Sequence, residues 1–343
     1  MTNPHRILLV RLSALGDVVH ALPVAATLRK MFPNAQIDWV VDERYQEILE
    51  FVPIINKSIV FSTRRTSAWR GMFEVIRSLR RGNYDIAIDV QGLVKSAFLA
   101  RASRARRVVG FPWAHLRERA ARFFYTEVYD PGNASHVIEK GLRLVTSLGV
   151  PNARGARVSF PIEVPPSIVP DQVRKELRIG ANARFVLLNP GAAWPNKRWP
   201  AERFGAVADW LQRRHGLPSV VLWGPGDEDR ATRVVSASGG TAHLAPRTSI
   251  ADLLALFQSA TLMISGDTGP LHIAAALGTP VVGIYGPTSE TRNGPWSPED
   301  VTVSRFSTCS CNYRRECYAR EWCLANISVV EITSAIDRRL ASL

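Results

Sequence analysis

Residues 7–31 read ILLVRLSALGDVVHALPVAATLRKM, and the change of period inside this stretch decides the fold class. Ile7–Leu12 is an apolar run broken only by Arg11, short and continuous enough for a strand buried on both faces. Ser13-Ala14-Leu15-Gly16-Asp17 interrupts it, and Val18–Met31 then reads as an amphipathic helix. A buried strand that turns through small residues straight into a helix opens a βαβ unit. Ending at Asp17 after Arg11, the run is too short and too charged for a signal peptide.

The alternation continues outward. Strands are expected at Ile37–Val41, Ser58–Phe61, Tyr84–Val90 and Arg107–Gly110, with helices near Tyr45–Phe51, Ser67–Arg81 and Leu93–Ala102. Pro151, Pro161, Pro165, Pro166 and Pro170 follow; proline lacks a ladder donor and fixes φ, so this stretch reads as an interdomain linker. Beyond it strands recur at Phe185–Leu188, Ser219–Trp223, Leu262–Ser265 and Val281–Tyr285. Helices at roughly 200–214, 228–237, 250–258 and 270–277 separate them, and one near Val330–Leu340 closes the chain. The expected architecture is α/β: a domain over 1–160, a second over 161–325 and a C-terminal helix over 326–343. Each domain is expected to be a doubly wound, mostly parallel sheet. Such sheets bind ligands outside the carboxyl ends of their strands, so two facing each other would make one cleft. No internal repeat or low-complexity segment is visible.

At 343 residues, 46% of them hydrophobic, the chain can fill two cores of ordinary size. No stretch approaches the roughly 18 consecutive apolar residues that span a bilayer, so a soluble, cytosolic protein is expected. The net charge is +13 and uneven: residues 1–170 hold 24 Lys and Arg against 14 Asp and Glu, the remainder 19 against 16. A basic first half suits an anionic partner such as nucleic acid, an acidic membrane surface or an acidic substrate. A solubilising arginine-rich surface is the plainer account. All four cysteines, Cys309, Cys311, Cys317 and Cys323, fall within 15 residues, which argues against a disulfide framework for the whole chain. Their spacing lacks the paired C-x-x-C knuckles of common zinc sites, so free thiols, a structural metal and disulfides all stay open.

Five segments can carry chemistry. Asp17 stands where a helix begins; a carboxylate there can serve as a general base toward a hydroxyl, or simply cap the helix. The motif lacks the three-glycine dinucleotide fingerprint, so NAD binding is not supported. Asn189–Pro200 (NPGAAWPNKRWP) follows a strand end; small residues let backbone amides approach an anion, and Lys197 can set a point charge on a phosphate. Ser265–His272 (SGDTGPLH) opens another helix, whose N-terminal amides attract phosphate. Asp267 would repel a phosphate, so it accepts a sugar hydroxyl or orients Lys197; His272 is a packing residue or a phosphate contact. Trp223–Glu228 repeats the strand-to-helix pattern, with Glu228 able to bind ribose hydroxyls. The fifth segment is basic: Arg64, Arg65 and Arg70 precede one helix, and seven arginines crowd Arg101–Arg122. No helix-turn-helix, zinc-finger or RNA-module signature accompanies them, so nucleic acid is not the expected partner.

Taken in order, SALGDVVH at 13–20, DVQGLVKS at 89–96, KRWP at 197–200 and SGDTGPLH at 265–272 resemble the ADP-heptose:lipopolysaccharide heptosyltransferases, glycosyltransferase family nine. DVQGLVKS looks most like the branch that adds the first heptose to Kdo-lipid A. The resemblance implies a GT-B fold, with acceptor bound by the first domain and ADP-sugar by the second. It implies inverting transfer without a metal cofactor, and it matches Asp17 to the catalytic base. On the donor side it matches Ala192, Ala193, Lys197, Glu228, Thr248, Asp267, Thr268, Gly269 and His272. On the acceptor side fall Ser13, Gly16, Arg64, Arg65, Gln91 and Lys95. First-heptose members often carry two threonines where this chain has Ala192 and Ala193, leaving only backbone amides there. The implied partners are an ADP-sugar, an anionic glycolipid acceptor (Kdo-lipid A or a core intermediate) and the inner leaflet of the inner membrane, met peripherally by a monomer. Rival functions are a family member with another donor or later acceptor, a nucleotide-sugar epimerase on the same scaffold, and a basic nucleic-acid-binding protein.

Overall fold

The computed structural model describes residues 4–62, 68–149 and 158–343. The chain divides into two compact units, Met1–Glu163 and Val164–Leu343. In the first, β1 (Arg6–Val10), β2 (Gln36–Asp42), β3 (Lys57–Phe61), β4 (Ile86–Asp89), β5 (Arg107–Gly110) and β6 (Glu127–Val128) form one sheet in the order β3-β2-β1-β4-β5-β6. Every neighbouring pair is parallel. The helices are α1 (Leu15–Met31), α2 (Ala68–Arg81), α3 (Val94–Ala102) and α4 (Val137–Val145). Ile7 through Val10 are fully buried, as a strand covered on both faces requires.

The second unit repeats this plan. Strands β7 (Val186–Asn189), β8 (Ser219–Val221), β9 (Ala242–Leu244), β10 (Leu262–Gly266), β11 (Val281–Tyr285) and β12 (Val301–Ser304) lie in the order β12-β11-β10-β7-β8-β9, again all parallel. Around them run α5 (Val169–Glu176), α6 (Ala201–His215), α7 (Glu228–Ala237), α8 (Ile250–Ser259), α9 (Gly269–Ala276), α10 (Glu290–Asn293) and α11 (Val329–Leu340). Strand order reverses between β1 and β4 in one sheet and between β7 and β10 in the other, where doubly wound sheets take their ligands. The two units thus share a topology although the sequence shows no repeat.

Several elements differ from the sequence expectation. The helix expected near Tyr45–Phe51 is two 3₁₀ turns, Glu43–Tyr45 and Glu47–Phe51. The edge strands β6, β9 and β12, two to four residues long, were not expected, nor were α4 and α5. Pro170 sits in the first turn of α5 instead of a linker; proline fits there because that N–H has no helical partner. The closing helix, set apart on sequence, buries Ile332, Ala335 and Ile336 in the second unit's core with Val186, Phe204 and Ile264. Trp199 is 1% exposed in that core, and its indole N–H donates to Ile327 O at 3.0 Å. It pins the segment that carries Lys197, and truncating so buried an indole to alanine costs about 3–5 kcal/mol. No helix among the described residues is long and apolar enough to cross a membrane.

Candidate active site

In the first unit the polar side chains follow the carboxyl ends of the strands. Asp17 is the third residue of α1. One carboxylate oxygen accepts the Ala14 N–H at 3.1 Å, so the capping role is filled. The other meets the Arg11 guanidinium at 2.6 Å, and the side chain keeps 28% of its surface exposed. Arg11 is buried and donates from its other terminal nitrogen to Val90 O at 2.8 Å. Asp17 therefore caps the helix and presents a carboxylate held at two points. Gln91 laces the two central strands together, its side-chain oxygen accepting the Leu12 N–H at 2.7 Å. Beneath it Asp89 is fully buried and accepts the N–H groups of Gln91 and Gly92 and the hydroxyls of Ser96 and Tyr125. Burial pushes its carboxyl up, and those bonds only partly oppose the rise.

Lys95, on α3, sets its ammonium 3.8 Å from the centre of the Phe61 ring. Desolvation pulls its pKa below the usual lysine value, with the Asp42 charge partly offsetting. Ser13 is half-buried between β1 and α1. Gly16 is a buried residue of the first turn of α1. Arg64 and Arg65 lie outside the described residues. A cavity of about 340 Å³ lined by Arg6, Asp38, Lys57, Arg77 and Tyr84 opens at the amino ends of β1 to β3, the edge opposite Asp17, and none of the expected site residues lines it.

In the second unit Asp267, 5% exposed at its side chain, is the centre of a buried network. Its Oδ2 accepts from Lys197 Nζ at 2.5 Å and Thr288 Oγ1 at 2.6 Å. Its Oδ1 accepts from Asn293 Nδ2 at 2.9 Å and meets His272 Nε2 at the same distance. Burial alone would raise this carboxyl, but the His272 bond and the Lys197 charge outweigh it and hold it far below the carboxylate range. Asp267 and Lys197 thus form a buried ion pair within this network. His272 is likewise buried against Asp267. Lys197 also lies over the Trp194 ring, 4.7 Å from its centre.

Asn189, at the end of β7, donates to Ser265 Oγ at 2.9 Å and Thr268 Oγ1 at 3.0 Å, drawing the two switch-point loops together. Gly266 permits that approach, since a Cβ there would stand 2.7 Å from Lys197 O; Gly191 likewise lets the first of these loops approach the loop after β8, where a Cβ would stand 2.5 Å from Asp227 Oδ2. Thr268 and Gly269 open α9, whose first-turn amides lack helical partners. Ala192 is buried and its carbonyl accepts from Arg198 Nε at 2.8 Å, while Ala193 is exposed. Glu228 is the exposed first residue of α7, and Thr248 is half-buried past the end of β9. Arg11, Thr288 and Asn293 were given no role on sequence, and Asn189 stood only at the head of the Asn189–Pro200 segment. Arg11 carries a signal, a cation inside a buried strand run; nothing local marks Thr288 or Asn293.

The cysteine segment braces this network. Asn196 Nδ2 donates to Arg314 O at 2.9 Å and Tyr313 N–H to Pro287 O at 2.7 Å, tying the segment to both loops that feed Asp267. All four cysteines are thiols, with Cys311 Sγ 3.0 Å from Cys317 Sγ. Among the described residues no group of three or more His, Cys, Asp or Glu side chains is arranged to hold a metal ion.

A family model described as glycosyltransferase family 9 (heptosyltransferase) matches residues 72–323. Lipopolysaccharide heptosyltransferase 1 of Pseudomonas aeruginosa is 29% identical over 325 residues, covering 91% of this chain and 87% of that protein. Lipopolysaccharide heptosyltransferase 3 of Escherichia coli K12 is also 29% identical, over 336 residues and 95% of each chain. The E. coli heptosyltransferase WaaC, solved with ADP-2-deoxy-2-fluoro heptose, aligns with a TM-score of 0.76 at 24% identity, over 97% of this chain and 99% of that one. Fold and sequence together define an α/β glycosyltransferase of the GT-B type. More particularly, the chain belongs to glycosyltransferase family 9, the heptosyltransferases.

Proposed function

We propose that the chain moves L-glycero-D-manno-heptose from ADP-heptose to a Kdo-lipid A type acceptor in lipopolysaccharide inner-core synthesis, with inversion and with Asp17 as general base. The observation that carries this reading is the Asp17 carboxylate, fixed by Arg11 and the Ala14 N–H yet partly exposed beside a switch point. The acceptor hydroxyl gives its proton to Asp17 as its oxygen bonds to the anomeric carbon. The bond from that carbon to the diphosphate oxygen breaks, and ADP leaves with the electron pair. Such base catalysis contributes about 10²–10⁴ in rate. Lys197 and the first-turn amides of α9 neutralise the diphosphate, while Glu228 and Thr248 take the nucleoside end. Ser13, Gln91, Lys95, Arg64 and Arg65 meet the acidic acceptor.

The donor assignment draws support from the WaaC structure's ADP-heptose analogue. A monomer working peripherally at the cytoplasmic face of the inner membrane completes the reading. A second reading, a later core acceptor, is favoured by the equal identity to a relative named heptosyltransferase 3. Incubation with ADP-heptose and Kdo-lipid A, following ADP release and acceptor mass together, tests both. A heptose-sized gain that disappears in Asp17→Asn supports the first; gain only on a heptosylated core supports the second. Silence with either acceptor sinks both.

A further inference from the structure

Among the described residues of the first unit, four large apolar side chains are exposed, and three of them fall on α3 and the segment packed against it: Phe98 on α3, Trp113 and Phe123, the last 76% exposed. Trp113 and Phe123 meet edge to face, their ring centres 5.1 Å apart. Phe98 meets Phe124, of the 3₁₀ helix Arg119–Phe124, at 6.0 Å. Exposed arginines neighbour the rings along the chain. Arg101 is exposed one turn after Phe98, Arg117 and Arg119 are exposed, and Arg122 is part-exposed beside Phe123. From Trp113 to Phe124 the chain holds three arginines, Arg117, Arg119 and Arg122, and one acidic residue, Glu118, whose carboxylate accepts the Val94 N–H at 2.7 Å. Strand β5 leaves the sheet at the same carboxyl edge as β1, so Trp113, three residues past it, lies toward the edge that carries Asp17.

A solvated arginine face explains the charge but not the rings exposed within it. Nucleic acid fits poorly: residues 111–124 contain no Asn, Gln, Ser, Thr or Tyr to meet sugars and base edges. Aromatic rings ringed by guanidinium groups match the boundary of an anionic bilayer, where rings enter the headgroup layer and cations meet lipid phosphates.

We propose that the Phe98–Trp113–Phe123 patch with its arginines docks the first unit on an anionic lipid surface and so brings Asp17 to a membrane-held acceptor. This rests on the glycolipid-acceptor reading above. The full chain is sedimented with phosphatidylcholine vesicles, with and without phosphatidylglycerol. The wild type should bind the anionic vesicles and release in high salt. Trp113→Ser/Phe123→Ser should weaken binding about tenfold and Arg117→Ser/Arg119→Ser by more, each arginine being worth about fivefold at such a surface. Circular dichroism should stay unchanged in both variants. ADP release with detergent-dispersed acceptor should also survive in the aromatic variant. Wild-type indifference to the anionic lipid, equal binding by both variants, or stronger retention of duplex DNA by the same residues overturns the proposal. Vesicle binding without any transfer keeps the docking surface and removes the assigned reaction instead.

Discussion

Asp267→Ala tests whether the second unit is organised around one buried charge. The substitution leaves the Lys197 ammonium, only 16% exposed at its side chain, without its carboxylate, and strips an acceptor from Thr288, Asn293 and His272. Removing one partner of a buried ion pair costs about 3–5 kcal/mol, and each stranded donor adds up to about 1. Lys197 can turn partly toward solvent and recover some of this, so about 4 kcal/mol is expected. Because a chain of two units need not unfold in one step, the readout is native-state hydrogen exchange of the β10 and β11 amides. They should exchange about 10³-fold faster in the variant, since about 1.4 kcal/mol is a factor of ten. Adding Lys197→Met should return about 2 kcal/mol or more, because the lone buried cation is then gone. A single-variant loss under about 1 kcal/mol, or strict additivity in the double variant, would refute the reasoning.

Three further outcomes follow from the same geometry. Asp267 is held below its ordinary pKa, so as pH falls through about 4 the unfolded chain binds a proton that the folded chain refuses; stability present above that range is lost in acid, and Asp267→Asn should lose less of it between urea melts at about pH 6 and about pH 2.5. Gly266→Ala forces a Cβ to within 2.7 Å of Lys197 O, backbone that side-chain motion cannot relieve; about 1–3 kcal/mol of stability and tighter ADP binding should both go, and an unchanged ADP titration would contradict the close-approach argument. Arg11→Met frees one side of Asp17 and should lower kcat about tenfold or more with little change in KM for the ADP-sugar, whereas Arg11→Lys should recover part; equal loss in both would point to folding instead.

The features legible along the chain were local in origin. An apolar run of five or six residues followed by a 3.6-period pattern needs no distant partner to be recognised, which is why β1–α1, β4–α3 and β10–α9 were legible. It also placed Asp17, Lys197 and Thr268 at strand ends, where doubly wound sheets work. The remaining features arose from packing between distant segments. β6, β9 and β12 are too short to carry a pattern and exist because a neighbouring strand offers hydrogen bonds. Lys197 and Asp267 are 70 residues apart and Asn293 a further 26; their shared charge exists only once β7, β10 and β11 lie side by side. Arg11 looked like an interruption of a strand until the fold set its guanidinium against Asp17. Periodicity is written along the chain, whereas a buried charge acquires its meaning from the partners that packing brings to it.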